Sequence, residues 1–282
     1  MKNAFSSQPS AIGTRRARED RLLRKIYLVL RCGLLWVVSG VHFFVVCGFL
    51  VLLAIFIDPR KNDRPQRAFS RNILRLAGAK LEVRYAPGFD PKRTSFFIVN
   101  HVNLFDPFVL YCAIPQFIRG WELESHFKIP AYGWMMKRFG NVPVPGVGNP
   151  SDLKRMWKMT QAALDHGVSL VVFPEGKRTR DGRVGHFHNG AFRMAQQFEY
   201  PIVPVSLVGS FEFHNKDTWM LRPAKIVVHV HDTIETKGMR KEEVEALRER
   251  VQRIVSEPVH KAMEAGSTKI EIQESEVRDP AD

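Results

Sequence analysis

Phe96-Phe97-Ile98-Val99-Asn100-His101-Val102-Asn103-Leu104-Phe105-Asp106-Pro107 is the stretch on which the fold turns. An apolar run rich in Phe and Val stops abruptly at Asn-His, and an Asp-Pro pair opens the next apolar segment five residues after the histidine. A short continuous apolar run bounded by polar residues predicts a buried strand; Asp106 followed by Pro107 predicts the start of a helix. Such a strand delivers an imidazole to its carboxyl edge beside a carboxylate that can orient it, which is one way to build a general base. The same residues also read as a plain helix cap, Asp106, with Pro107 at the first helical position and His101 an ordinary loop residue.

A second junction of the same kind lies further along. Residues 168–173 form another continuous apolar run, and Pro174-Glu175-Gly176-Lys177-Arg178 follows it directly. In α/β sheets ligands bind in the crevice beyond the carboxyl ends of the strands. If the two strands are neighbours, Glu175 and Arg178 come close to His101, and a guanidinium there suits an anion. A solvated polar turn is the plainer reading of that segment. Between and around these junctions the pattern predicts a connecting helix over 65–77 stopped by Gly78, then strands at 80–85, 202–207 and 225–230. Further helices are predicted at 106–114, 151–166, 190–199 and 241–264, and the Pro- and Gly-rich passage 115–148 reads as loop. The fold class is therefore α/β, a largely parallel central sheet flanked by helices.

The 282 residues carry 42 Lys and Arg against 29 Asp and Glu, a formal charge of +13. That balance suits a nucleic acid, an anionic membrane or an acidic substrate. The basic residues Arg15, Arg16, Arg18, Arg21, Arg24 and Lys25 crowd just ahead of an apolar segment, and Cys32 to Ile57 holds no formally charged residue. This exceeds the roughly 20 residues of one membrane span and is too long for a signal peptide. The expected organisation is a basic cytoplasmic tail (1–25), a membrane anchor (26–57), a catalytic domain (65–235), a C-terminal amphipathic helix (236–264) and an acidic tail (265–282). Basic residues flank both ends of the anchor, so a hairpin broken near Ser39-Gly40 is preferred to a single span, with His42 at the bend. Cys32, Cys47 and Cys112 form no CxxC pair and point to neither a disulfide framework nor a zinc site.

Taken together, Asn100, His101 and Asp106 and then Phe173, Pro174, Glu175, Gly176 and Arg178 resemble the NHxxxxD and FPEG motifs of the glycerolipid acyltransferases typified by 1-acylglycerol-3-phosphate acyltransferase. A fourth motif, a short apolar segment with a central proline, resembles Ile202-Val203-Pro204-Val205. The resemblance covers about residues 65–235. It implies direct acyl transfer from a thioester, acyl-CoA or acyl carrier protein, to a lysophospholipid hydroxyl, with neither metal nor cofactor. His101 and Asp106 would be catalytic; Asn100, Glu175, Gly176, Arg178 and Pro204 would bind substrate, Gly176 offering a backbone N–H to the oxyanion. It also implies a membrane enzyme with its catalytic domain on the cytoplasmic face, of the bacterial inner membrane type.

The family's second motif departs here. Where it usually carries a lysine and an arginine this chain has Glu124 and Gly146, which leaves their roles to Lys128, Lys137 or Arg138 and makes an acceptor other than lysophosphatidic acid credible. His186 and His188 read as loop residues rather than metal ligands. The stripe Met156, Trp157 and Met159 is expected to pack on the sheet or border an acyl groove. A catalytically idle lipid-binding scaffold of the same fold is the competing class. Nucleic-acid binding is disfavoured, because the arginines cluster beside the apolar segment and no nucleic-acid module is present.

Overall fold

The computed structural model describes residues 11–59, 63–146 and 150–278. Its architecture follows from the strand that opened the sequence. β2 (Phe96–Val99) is buried at every position, so it requires a neighbour on each edge and a layer on each face. The edge partners are β5 (Ser169–Val172) and β6 (Ile202–Val208), both parallel, with Ile98 level with Val172 on one side and Pro204 on the other. β3 (Ile118–Leu123) and β4 (Val142–Val144) extend the sheet beyond β5; β7 (Ala224–Val230) and β1 (Ala79–Tyr85) extend it beyond β6. The order is β1-β7-β6-β2-β5-β3-β4, and the β6–β7 pair alone is antiparallel.

Alternate residues of β2 serve opposite faces. Phe97 and Val99 pack with α2 (Arg64–Ala77) and α3 (Asp106–Ala113), while Phe96 and Ile98 pack with α5 (Pro150–Asp165), α6 (Gly190–Phe198) and α8 (Val244–Arg278). α2 ends as its sequence predicts: Gly78 takes φ +87° and its N–H returns to Arg75 and Leu74. The passage 115–148 is more ordered than its Pro and Gly content suggests, holding β3, β4 and α4 (Tyr132–Arg138). α8 passes through Pro258 and continues to Arg278, so most of the expected tail at 265–282 is helical.

The anchor differs from its expected form. α1 (Ala11–Phe56) is one helix of 46 residues, with no break at Ser39-Gly40. Glycine keeps its backbone N–H, so within a helix it costs only about 1 kcal/mol, which the packing of this segment offsets. The stretch Lys25–Phe56 is long and apolar enough to cross a bilayer. Yet α1 does not leave the domain: Cys32, Cys47, Leu50 and Ala54 are buried, and Trp36 Nε1 donates to the Trp219 carbonyl at 2.6 Å. His42 faces inward, its ring 5.2 Å from that of Phe69, rather than occupying a bend. The outer side carries Leu34, Val37, Val41, Val45, Phe49, Leu52 and Phe56, all exposed.

Candidate active site

β2 ends at Val99, and the next two side chains do different work. Asn100 turns inward, accepting from Leu207 N at 2.8 Å and donating to Leu207 O at 3.1 Å. It thus continues the pairing of β2 with β6 through a side chain. It is 1 % exposed, so the substrate contact expected of Asn100 is replaced by an architectural one. His101 turns to the crevice, stacked on Phe173 with ring centroids 4.1 Å apart and planes 17° from parallel. Its Nδ1 lies 2.9 Å from Asp106 Oδ2. An ionised carboxylate only accepts, so Nδ1 bears the proton and the lone pair falls on Nε2, on a side chain that remains 22 % exposed.

Asp106 is fully buried yet well supplied with donors. Oδ2 also accepts from Val102 N at 2.7 Å and Asn103 N at 2.9 Å, and Oδ1 accepts from Ser210 Oγ at 3.0 Å. It is the first residue of α3 with Pro107 second, but Phe105 takes the N-cap position and no side chain caps the helix, so the cap reading of Asp106 fails and its carboxylate meets the imidazole instead.

The loop after β5 meets the loop after β2. Glu175 Oε1 accepts from His101 N at 2.7 Å and Oε2 from Gly185 N at 2.8 Å, while Thr179 N donates to the His101 carbonyl at 2.9 Å. Glu175 is 5 % exposed, and its carboxylate joins two loops instead of facing the crevice. Burial raises its pKa, against the lowering effect of those two backbone donors. Gly176 has φ +66°, and its N–H closes a turn onto Phe173 O at 3.1 Å, so it is not the free oxyanion donor expected. Arg178 is half-buried and, among the described residues, forms no hydrogen bond or ion pair. It is close enough to His214 to help burial lower that histidine's pKa.

Pro204 lies apart from this cluster, buried in mid-strand level with Ile98, and contributes to the core rather than to substrate binding. The second-motif positions are equally uncommitted to the crevice. Glu124 pairs with Arg155 at 2.7 Å, Gly146 offers no side chain, and Arg138 donates to the Ala54 carbonyl at the end of α1. Lys128 and Lys137 are exposed. His186 lies 3.4 Å from Arg248 Nη1, and the described residues hold no cluster of three or more His, Cys, Asp or Glu fit for a metal. Met156 is buried on the far face of the sheet and Trp157 stacks edge-on to Phe198 there, whereas Met159 is exposed, so two of the three pack on the sheet and none borders the cavity described next.

An apolar cavity of about 320 Å³ opens beneath the histidine. Phe173, whose other side supports His101, shares its lining with Phe105 and Phe108 of the α3 region, Phe69 of α2, and Trp36 and Gly40 of α1. Arg119, also in the lining, is 1 % exposed; its Nη1 donates to Ile118 O at 2.6 Å and Tyr111 Oη at 2.9 Å, and its guanidinium lies 3.6 Å from the Phe117 ring centroid. Sequence reasoning passed over Ser210, His214 and Arg119. The signal for Arg119 was an arginine within the alternating run Ile118-Arg119-Gly120-Trp121-Glu122-Leu123; nothing local marks the other two.

With this geometry in hand, the comparisons with known proteins agree on its class. Residues 78–208, which hold both junctions, match the family model described as Acyltransferase. Among its relatives is the chloroplastic 1-acyl-sn-glycerol-3-phosphate acyltransferase of Arabidopsis thaliana, 29 % identical over 185 residues, 61 % of this chain and 51 % of that protein. The alpha form from Ovis aries is 26 % identical over 212 residues, 72 % of this chain and 74 % of that one. The matched parts span 33 %, 51 % and 49 % of the plant relatives from Brassica napus, Arabidopsis thaliana and Cocos nucifera. The crystal structure of the 1-acyl-sn-glycerophosphate (LPA) acyltransferase PlsC from Thermotoga maritima has the same fold: TM-score 0.67, 23 % identity, 84 % of this chain and 97 % of that one covered.

Proposed function

We propose that the chain transfers a fatty acyl group from a thioester to the free hydroxyl of a lysophospholipid, 1-acyl-sn-glycerol 3-phosphate in the first instance, at a membrane surface. The observation that carries this reading is the His101–Asp106 pair at 2.9 Å, on a ring stacked against Phe173, which also lines an apolar cavity. Nε2 takes the proton of the acceptor hydroxyl as its oxygen bonds to the thioester carbonyl carbon; the C–S bond then breaks and the imidazolium returns the proton to the departing thiolate. Asp106 holds the ring in the required tautomer and stabilises its charged form. The cavity receives the acyl chain, and Arg178, next in sequence to the Thr179 that bonds the His101 carbonyl and without a hydrogen bond or ion pair among the described residues, binds the acceptor phosphate. The donor is acyl-CoA or acyl carrier protein, both thioesters.

The packing of α1 along the domain, with an apolar outer side, favours a chain that lies in one leaflet over one that sends a single helix across it. The basic first turns of α1, from Arg15 to Lys25, suit the anionic cytoplasmic face. The uncommitted second-motif positions, Glu124 paired with Arg155 and Gly146 bare, keep a different lysolipid acceptor as the second reading. An idle scaffold is disfavoured by the intact His101–Asp106 pair.

The test is His101→Ala in the full chain, assayed in micelles with a labelled acyl donor and a panel of lysolipids. Turnover should fall about 10²–10⁴-fold at unchanged thermal stability. Full turnover by the folded variant would remove the general base and with it this reading; preference for a zwitterionic acceptor in the unmutated chain would promote the second.

A further inference from the structure

The fourth motif puts no side chain in the crevice at Pro204, yet β6 continues for four residues beyond it before the chain turns. Gly209 makes that turn at φ +81°, where a Cβ would lie 2.1 Å from the Lys225 carbonyl oxygen. Only glycine fits so close an approach. The next residue, Ser210, opens the short helix α7 (Ser210–Phe213) and is 1 % exposed. We propose that Ser210 is a positioning residue for the His101–Asp106 pair, so that β6 delivers a hydroxyl to the site six residues after its proline.

Proton accounting sets the direction. Ser210 Oγ accepts from Asn103 Nδ2 at 2.9 Å, which leaves its own hydrogen for Asp106 Oδ1 at 3.0 Å. Asn103 is fixed in turn: Nδ2 also reaches the carbonyls of Ser210 at 2.8 Å and His214 at 3.0 Å, and Oδ1 accepts from Phe105 N at 2.8 Å. The other three donors to Asp106 all fall on Oδ2. Ser210 is therefore the sole donor to Oδ1 among the described residues, on a carboxylate with no exposure to water. Without it a buried charged oxygen has no partner, and the carboxylate gains by rotating or by drawing in water, either of which misdirects Oδ2 from His101. The loop survives the loss, because the Asn103 amide keeps both carbonyls.

This inference rests on the general-base reading, and its test separates the two. The full chain carrying Ser210→Ala or Ser210→Thr is compared in micelles with the unmutated enzyme and with His101→Ala. In Ser210→Ala, kcat should fall about tenfold with both KM values within about twofold, and Ser210→Thr, which keeps a hydroxyl, should recover most of the loss. The acid limb of the rate profile should move downward in Ser210→Ala, since a carboxylate oxygen turned away from the ring holds the charged imidazole less firmly. The other charged or titratable groups facing the pair, Glu175, Arg178 and His214, are the same in all three. Unchanged kcat and acid limb in Ser210→Ala would overturn the proposal, as would a loss that Ser210→Thr fails to recover alongside an equal fall in Tm. Turnover by His101→Ala would instead overturn the general base itself.

Discussion

The loops after β2 and β5 each hold a buried carboxylate, and the two are used differently. Asp106 accepts two backbone N–H groups and a hydroxyl, and still has a titratable ring on Oδ2. Glu175 accepts two backbone N–H groups and, among the described residues, nothing else; one of them is the amide of the histidine whose ring Asp106 holds. One carboxylate aims the imidazole and the other fixes the chain beneath it. On the proposed reading the two acidic residues thus divide between chemistry and architecture, and the division depends on which donor each oxygen meets.

That contrast is exposed most sharply by Asp106→Asn. The amide oxygen can still accept from Val102 and Asn103, but no charge faces the imidazolium, so kcat should drop about 10²–10⁴-fold in a steady-state transfer assay. A variant keeping a third of the activity would make Asp106 as architectural as Glu175 and erase the difference. Next comes Arg178→Ala, which asks whether the β5 loop takes part in recognition through its arginine. Acceptor kcat/KM should fall at least about tenfold for a phosphomonoester and little for a zwitterionic lysolipid. Equal losses on both acceptors would return Arg178 to structure or to the donor.

The smallest effect on turnover is expected from Glu175→Gln. A glutamine presents one acceptor oxygen to two N–H groups, so stability should decline by about 1–3 kcal/mol at neutral pH, while activity changes by less than tenfold. The pH dependence supplies a sign. Burial raises the folded pKa above 4.5, so between 4.5 and the raised value the folded chain binds more protons than the unfolded one. Stability contributed by Glu175 therefore falls as pH rises through that window. Tm measured across it should decline with pH in the unmutated chain and run flatter in Glu175→Gln. A loss of turnover as deep as that of Asp106→Asn would place Glu175 in the chemistry after all.

Much of this was legible in the chain. β2 announces itself as an unbroken apolar run, and β5 as one that is polar only at Ser169, because both faces are covered, and His101 and Asp106 follow from the strand end and helix start that frame them. β3 and β4 were hidden: Ile118–Leu123 carries an arginine whose charge is absorbed by carbonyls and aromatic faces, and Val142–Val144 includes Pro143 in a strand at the edge of the sheet. Asn100 and Pro204 look like site residues only because they sit beside or within motifs; the first supplies a ladder and the second a core position. Ser210 is 104 residues from Asp106, and only the placement of β6 next to β2 brings them together. The continuous helix through Ser39-Gly40 was obscured by the basic residues at both ends of the anchor, which favour a turn back, whereas the modest cost of a helical glycine forces no break there.

Because α1 forms one wall of the apolar cavity and also presents an apolar outer side, the cavity and the helix surface that would meet lipid are separated by a single helix. On the membrane-bound reading, this sets the partition of substrate. Each methylene withdrawn from hydrocarbon into water costs about 0.8 kcal/mol. A chain passing sideways from the leaflet into the protein never crosses water, so that cost, which grows with every added carbon, cancels. Selection among chain lengths is then left to the volume of the cavity alone, and a longer acyl group gains no advantage from its greater insolubility.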